Sequence, residues 1–311
     1  MSKLQLSPDV LAAAKTLRVD AVTAEVVRAL ALDGIEAILL KGPSFARWLY
    51  EDGVLRKYGD TDLLVAQDDV EAVENVLIKL GFGFGRDGGP RDPSLQDLHW
   101  VRNEDEVDVH VTLKGGCAGA ARQWMVLTRN TDVMTVNGVS VRVLSETARA
   151  LHLALHAAHH GRRSERPLAD LSRGLARLPF DLWQQAAAMA LEIDATEFFA
   201  AGLRQTAEGV ALADSLGLSD ELSVEAALRA DSATSITLGL SRLLERRGVR
   251  AKAGVLLREI FPSVEFMRIW APTRRLGPVG LALGYLWRPV SLALASPRAV
   301  YALVRASRAG R

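Results

Sequence analysis

Asp60 and Asp62 stand one residue apart at the head of the apolar run Leu63-Leu64-Val65, and no other feature of the chain limits its fold so tightly. Side chains of a strand alternate between faces, so residues two apart share a face. If residues 60–65 form a buried strand, both carboxylates project from the same side of a sheet. Two like charges held that close are unfavourable unless a cation lies between them, and a divalent metal is the usual reason for such a pair. On this reasoning alone, Asp62→Asn is expected to leave folding intact or slightly improved, because it removes a repulsion.

A third carboxylate is at hand in Val107-Asp108-Val109-His110-Val111. The valines alternate with Asp108 and His110, which places the two polar side chains on one face. If this strand neighbours the first, Asp60, Asp62 and Asp108 converge. An all-oxygen set of this kind suits Mg2+ or Mn2+, which binds alongside substrate phosphates. Asp108 is also placed to assist deprotonation of an attacking group.

Upstream, Lys41-Gly42-Pro43-Ser44 joins a strand to a helix. Free backbone N–H groups and the helix dipole favour phosphate at such a turn. Gly42 permits close backbone approach, the Ser44 hydroxyl can donate a hydrogen bond, and Lys41 offers a point charge. A plain strand-to-helix turn capped by Ser44 is the competing reading.

The rest of the N-terminal half reads as alternating elements. Residues 8–33 are helical, capped near Ser7 with Pro8 at the first helical position, and Gly34 ends them. Residues 35–40 predict a buried strand, 45–50 a helix and 51–59 a polar loop. Residues 68–80 predict an amphipathic helix closed by Gly81, and 84–97 a flexible loop rich in Gly, Pro and Asp. Strands at 98–101 and 107–113 are joined by Asn103-Glu104-Asp105-Glu106. A second hairpin, 133–136 with 139–143, turns at Asn137-Gly138, a strong hairpin signal. Beyond Ser145 the patterns are helical.

Composition sets wider limits. With 311 residues, 49% hydrophobic and 24% charged, the chain can bury two domain cores. A net charge of +1 does not announce a nucleic-acid binder. The single cysteine, Cys117, excludes an internal disulfide and a cysteine zinc site, and fits a reducing cytoplasm. The N-terminus lacks the apolar core of a signal peptide. Residues 276–295 are largely apolar, but Arg288-Pro289 interrupts them, and a central Arg costs ~2.5–3.5 kcal/mol on insertion. Residues 274–311 are therefore expected to form helices that pack on the helical domain or on a partner, with no transmembrane segment.

Leu40-Lys41-Gly42-Pro43-Ser44, then Arg56-Lys57-Tyr58-Gly59-Asp60-Thr61-Asp62-Leu63-Leu64-Val65, then Val107-Asp108-Val109-His110, resembles the uncharacterised nucleotidyltransferase family of the DNA-polymerase-β-like superfamily. Leu155-His156-Ala157-Ala158-His159-His160-Gly161 and Leu168-Ala169-Asp170-Leu171 are similar to its downstream helical segment. The superfamily usually has Gly-Ser at the phosphate turn; here Pro43 lies between Gly42 and Ser44. The resemblance implies an α+β fold: a mixed sheet with flanking helices in residues 1–145, followed by an all-helical domain in 146–311 with an Arg-rich apolar end. It implies a metal-dependent enzyme that moves a nucleoside monophosphate from an NTP to a small molecule, a peptide or protein, or RNA. Asp60, Asp62 and Asp108 are the expected catalytic and metal-binding residues. Lys41, Gly42, Ser44, Arg56 and His110 are the expected nucleotide-side residues. A non-catalytic scaffold that binds a peptide or protein, and a toxin-like enzyme modifying tRNA, remain open.

Several residues carry two readings. Arg56 is either a nucleotide contact or a structural ion-pair partner. His110 either packs and hydrogen-bonds or enters the site. His99 reads as structural. His152, His156 and His160 share a helix face, with His159 beside His156, which suits a helix bordering the site better than zinc.

Overall fold

The computed structural model describes residues 7–51, 54–85, 97–162, 164–221 and 277–309, with single positions between 257 and 267. Most of the expected loop at 84–97, and the side chains of Arg268, Arg274, Arg275, Arg298 and Arg305, lie outside the described residues.

The first helix, α1, runs over Pro8–Leu32, and its cap is Ser7, whose side chain accepts from the backbone N of Val10 at 3.3 Å. Gly34 adopts φ 74°, a left-handed stop, and the chain enters β1, Ala37–Leu39. Helix α2 is Pro43–Leu49, β2 is Thr61–Val65 and α3 is Val70–Lys79. Then come β3 (Gly83–Phe84), β4 (Asp97–Arg102), β5 (Asp105–His110), α4 (Ala120–Leu127), β6 (Thr131–Val136) and β7 (Val139–Leu144). The seven strands form one mixed sheet in the order β3-β4-β5-β2-β1-β7-β6. β2 runs parallel to β5 and β1 parallel to β7; the other neighbours are antiparallel.

One face of the sheet is covered by apolar residues of α1 and α3. Val22, Val26 and Leu30 of α1, with Val73 and Leu77 of α3, pack against Leu39, Leu63, Val65, Val107 and Val109. Thr61 also points this way, its hydroxyl 2.8 Å from that of Thr23 in the buried layer. Strict alternation sends Asp62, Asp108 and His110 to the opposite face.

One hairpin forms as expected and the other is tighter than expected. Asn137 and Gly138 have φ 44° and 77°, the mirror-image turn that matches strand twist. The β4–β5 turn is shorter than the four residues read from sequence, because Asn103 at φ 57° turns the chain within two residues. Arg18 of α1 ties down its acids, with Nη1 donating to Glu104 at 2.8 Å and Nε to Asp105 at 2.6 Å. β5 stops at His110, short of the expected 113. There the buried Gln123 side chain accepts from Leu113 N at 2.9 Å and donates to the carbonyls of Gly116 and Ala118, taking the chain out of the ladder.

All described elements after Leu144 are helices: α5 (Glu146–His160), α6 (Glu165–Arg177), α7 (Phe180–Glu192), α8 (Thr196–Leu203), α9 (Ala207–Ser215) and α10 (Gly277–Ala309). The chain divides into two compact units, residues 1–155 with 169–199, and residues 156–168 with 200–311. The first holds the sheet; the second is helical wherever regular elements are described. No helix among the described residues is long and apolar enough to cross a membrane.

Candidate active site

The parallel pairing of β2 with β5 sets Asp62 directly opposite Asp108, and Leu64 opposite His110. Asp62, Asp108 and His110 each offer one ligand atom within 4.8 Å of the others, and no other such group of three occurs among the described residues. Asp62 is 2% exposed. Its Oδ1 receives Lys41 Nζ at 2.7 Å and His110 Nε2 at 3.1 Å. Asp108 Oδ1 lies 2.6 Å from His99 Nδ1, since β4 pairs His99 with Asp108.

Asp60 sits at a bend just before β2, not within the strand as the sequence suggested. It is half-buried and still feels the charges of Asp62, Asp108 and Lys41. Burial and the neighbouring Asp62 push its carboxyl above the ordinary range. For Asp62 itself, burial also disfavours the charge, but Lys41 and the His110 hydrogen bond outweigh it and hold the carboxyl well below that range. Burial likewise opposes the charge of Lys41, and Asp62 more than offsets it, so the ammonium is raised above its ordinary value. Asp62 is thus a buried anion with an ammonium against it, while Asp60 and Asp108 stay partly open.

Lys41 and Gly42 form the turn between β1 and α2. Gly42 has φ 61° and ψ −116°, outside the range of an L side chain, and an added Cβ would meet the Tyr58 ring at 3.4 Å. Ser44 is buried, and its Oγ has no hydrogen-bond partner in the protein. Ser44 therefore does not cap α2, whose cap residue is Gly42.

Arg56 takes the structural of its two readings. Its Nε and Nη2 donate to Asp170 at 2.8 and 2.6 Å, with side chains 3% and 1% exposed. Tyr50 Oη donates to the same carboxylate at 2.7 Å, and the guanidinium stands 5.5 Å from the Phe45 ring centroid. Arg177 Nη1 adds a bond to Leu49 O at 3.1 Å. The segment that delivers Asp60 is therefore fastened by α6. Sequence reasoning placed Asp170 within the segment similar to the family's helical part and left Arg56 as a possible ion-pair partner, but it did not pair the two.

The histidines separate. His152 is buried against Phe45, ring centroids 5.4 Å apart, and burial with the nearby Lys41 charge pushes its pKa down to about 3. His99, read as structural, touches Asp108. His160 meets His156 and His159 edge to face, with centroids 4.5 and 5.1 Å away, and among the described residues none of the three belongs to a metal-holding group.

The antibiotic-resistance factor ANT(2'')-Ia, in its solution structure, is 15% identical, with a TM-score of 0.39 over 60% of this chain and 95% of its own. A tRNA-processing enzyme in an apo form is 13% identical, with a TM-score of 0.28 over 98% of this chain and 86% of its own. No curated protein matches the sequence. Residues 8–210 match the family described as uncharacterised nucleotidyltransferase, a span that contains the whole sheet and every residue of the site, and the chain belongs to that family.

Proposed function

We propose that this enzyme moves a nucleoside monophosphate from an NTP to an acceptor, using Mg2+ or Mn2+ held by Asp60, Asp62 and Asp108. The observation that carries the reading is the parallel register that sets Asp62 opposite Asp108, with Asp60 adjoining and Lys41 within reach. The donor set fits a divalent ion: carboxylate oxygens dominate, and a nearby imidazole, His110, tolerates Mn2+ as well as Mg2+. When bound, such an ion neutralises charge on the transferred phosphoryl group and the leaving pyrophosphate.

The chain's own residues supply the rest. Lys41 offers its charge to a phosphate, Gly42 admits the phosphate close to the backbone, and Ser44 Oγ is the turn's uncommitted hydroxyl. His110 fixes the orientation of Asp62. Asp108 takes the acceptor's proton as the acceptor oxygen bonds to the α-phosphorus and the bond from that phosphorus to the bridging oxygen of pyrophosphate breaks. Arg56 acts at one remove, by holding the Asp60 segment to Asp170. Residues 1–145 would be the catalytic core and residues 146–311 a helical domain for a peptide, protein or RNA partner, in a reducing cytoplasm.

The test is incubation with each labelled NTP and Mg2+ or Mn2+, using cell extract as an acceptor pool. Label from one NTP should enter a discrete product with release of pyrophosphate, and chelator or Asp62→Asn should abolish it. Transfer from none of the NTPs, or transfer untouched by either control, would sink the proposal.

A further inference from the structure

Helix α10 is built inside out. Among its described side chains, 277–294, the buried positions are Gly280, Gly284 and Arg288, spaced by four on one face. Val279, Leu283, Leu286, Trp287, Val290 and Leu294 lie on the opposite side and are all exposed, Leu286 at 72% and Leu294 at 68%. Their spacing of three and four makes a continuous stripe along the helix. Arg288 is the only charged residue between 277 and 294, and it is 6% exposed. On the inner side Tyr285 Oη donates to Pro262 O at 2.8 Å, which anchors the helix with its stripe outward. Single exposed aliphatics are ordinary, but a contiguous apolar stripe on a helix marks something that covers it.

The chemistry of the flanks says what. From Arg268 to Arg311 the chain carries eight arginines, no lysine and no acidic residue. A second copy of the chain could bury the stripe, but it would bring a segment with the same excess of positive charge. RNA would satisfy the arginines and leave the leucines and Trp287 in water. An anionic lipid surface answers both: its charge attracts the basic segment while the stripe enters the boundary of the acyl chains. The helix is not apolar enough to cross, so it would lie in the plane of the interface. We propose that the outward face of α10 docks the protein on an anionic lipid surface.

Full-length protein sedimented with vesicles measures this directly. Binding to phosphatidylcholine vesicles containing phosphatidylglycerol should exceed binding to pure phosphatidylcholine by about tenfold and weaken with salt. Leu286→Glu with Leu294→Glu puts two charges on positions that are already exposed, so the melting temperature should hold while vesicle binding falls by about tenfold or more. Wild-type protein left in the supernatant with anionic vesicles would overturn the proposal. So would undiminished binding by the double variant, or a wild-type dimer that the double variant splits while neither binds vesicles.

Discussion

Lys41 Nζ lies 2.7 Å from Asp62 Oδ1, so the acid expected to hold a metal already holds an ammonium. The two cations compete for one oxygen. Lys41→Gln should therefore strengthen Mn2+ binding in the absence of nucleotide, by about tenfold or ~1.4 kcal/mol, against the usual weakening when a site residue is lost. Lys41→Arg keeps the charge and should keep the weak affinity. Electron paramagnetic resonance of free Mn2+ reads both, and a Lys41→Gln protein that binds Mn2+ no better than wild type refutes the competition.

The same contact reverses an expectation drawn from sequence. Asp62→Asn was expected to spare or improve folding by relieving repulsion between carboxylates. In the structure it strips a 2%-exposed anion from Lys41 and His110. Lys41 would be left mostly buried without that partner, at a cost of about 1–3 kcal/mol. Turnover should drop by orders of magnitude as well. Thermal melts of Asp62→Asn and of Lys41→Gln with Asp62→Asn separate the effects: the double variant should recover part of the lost stability.

Arg56 and Asp170 form the most completely buried ion pair of the site region. Asp170→Ala leaves an unpaired guanidinium among apolar neighbours and should cost about 3–5 kcal/mol. Replacing both partners by apolar residues, Arg56→Met with Asp170→Leu, should cost much less. Urea titration of Arg56→Met, Asp170→Leu and the double variant closes the cycle; additive losses would show that the pair is not coupled.

Gly42 offers a backbone test. Its φ of 61° with ψ −116° is closed to L residues, so Gly42→Ala should cost about 1–3 kcal/mol by backbone strain, while its Cβ only touches the Tyr58 ring. Nucleotide affinity should fall with it, because the turn must shift. A variant with the wild-type melting temperature would mean that the turn is not held in this conformation.

His152 supplies a pH dependence. Its folded pKa is pushed down to about 3 from an ordinary 6.5, so below about pH 6.5 the unfolded chain takes a proton that the folded chain refuses. The stability present at neutral pH is lost as pH falls through that window, by about 1–2 kcal/mol at pH 5. His152→Phe, placed beside Phe45, should flatten this part of the curve. Chemical denaturation at pH 7 and 5 checks it, and an unchanged slope would remove His152 from the account.

The sequence by itself determined most of the elements and the face that Asp62, Asp108 and His110 share. Capping at Ser7, the stop at Gly34, the Asn137-Gly138 turn and the alternation of apolar with polar residues are local, and local rules specify them. Alternation alone sent Asp62, Asp108 and His110 to one face. Only the tertiary structure decided what those side chains meet. Parallel pairing set Asp62 against Asp108 across 46 residues of chain, which no periodicity encodes. Asp170 comes from 114 residues beyond Arg56, and Lys41 reaches back from its turn into the acids. Buried charges must find partners, and where those partners lie is a property of packed space, not of spacing along the chain.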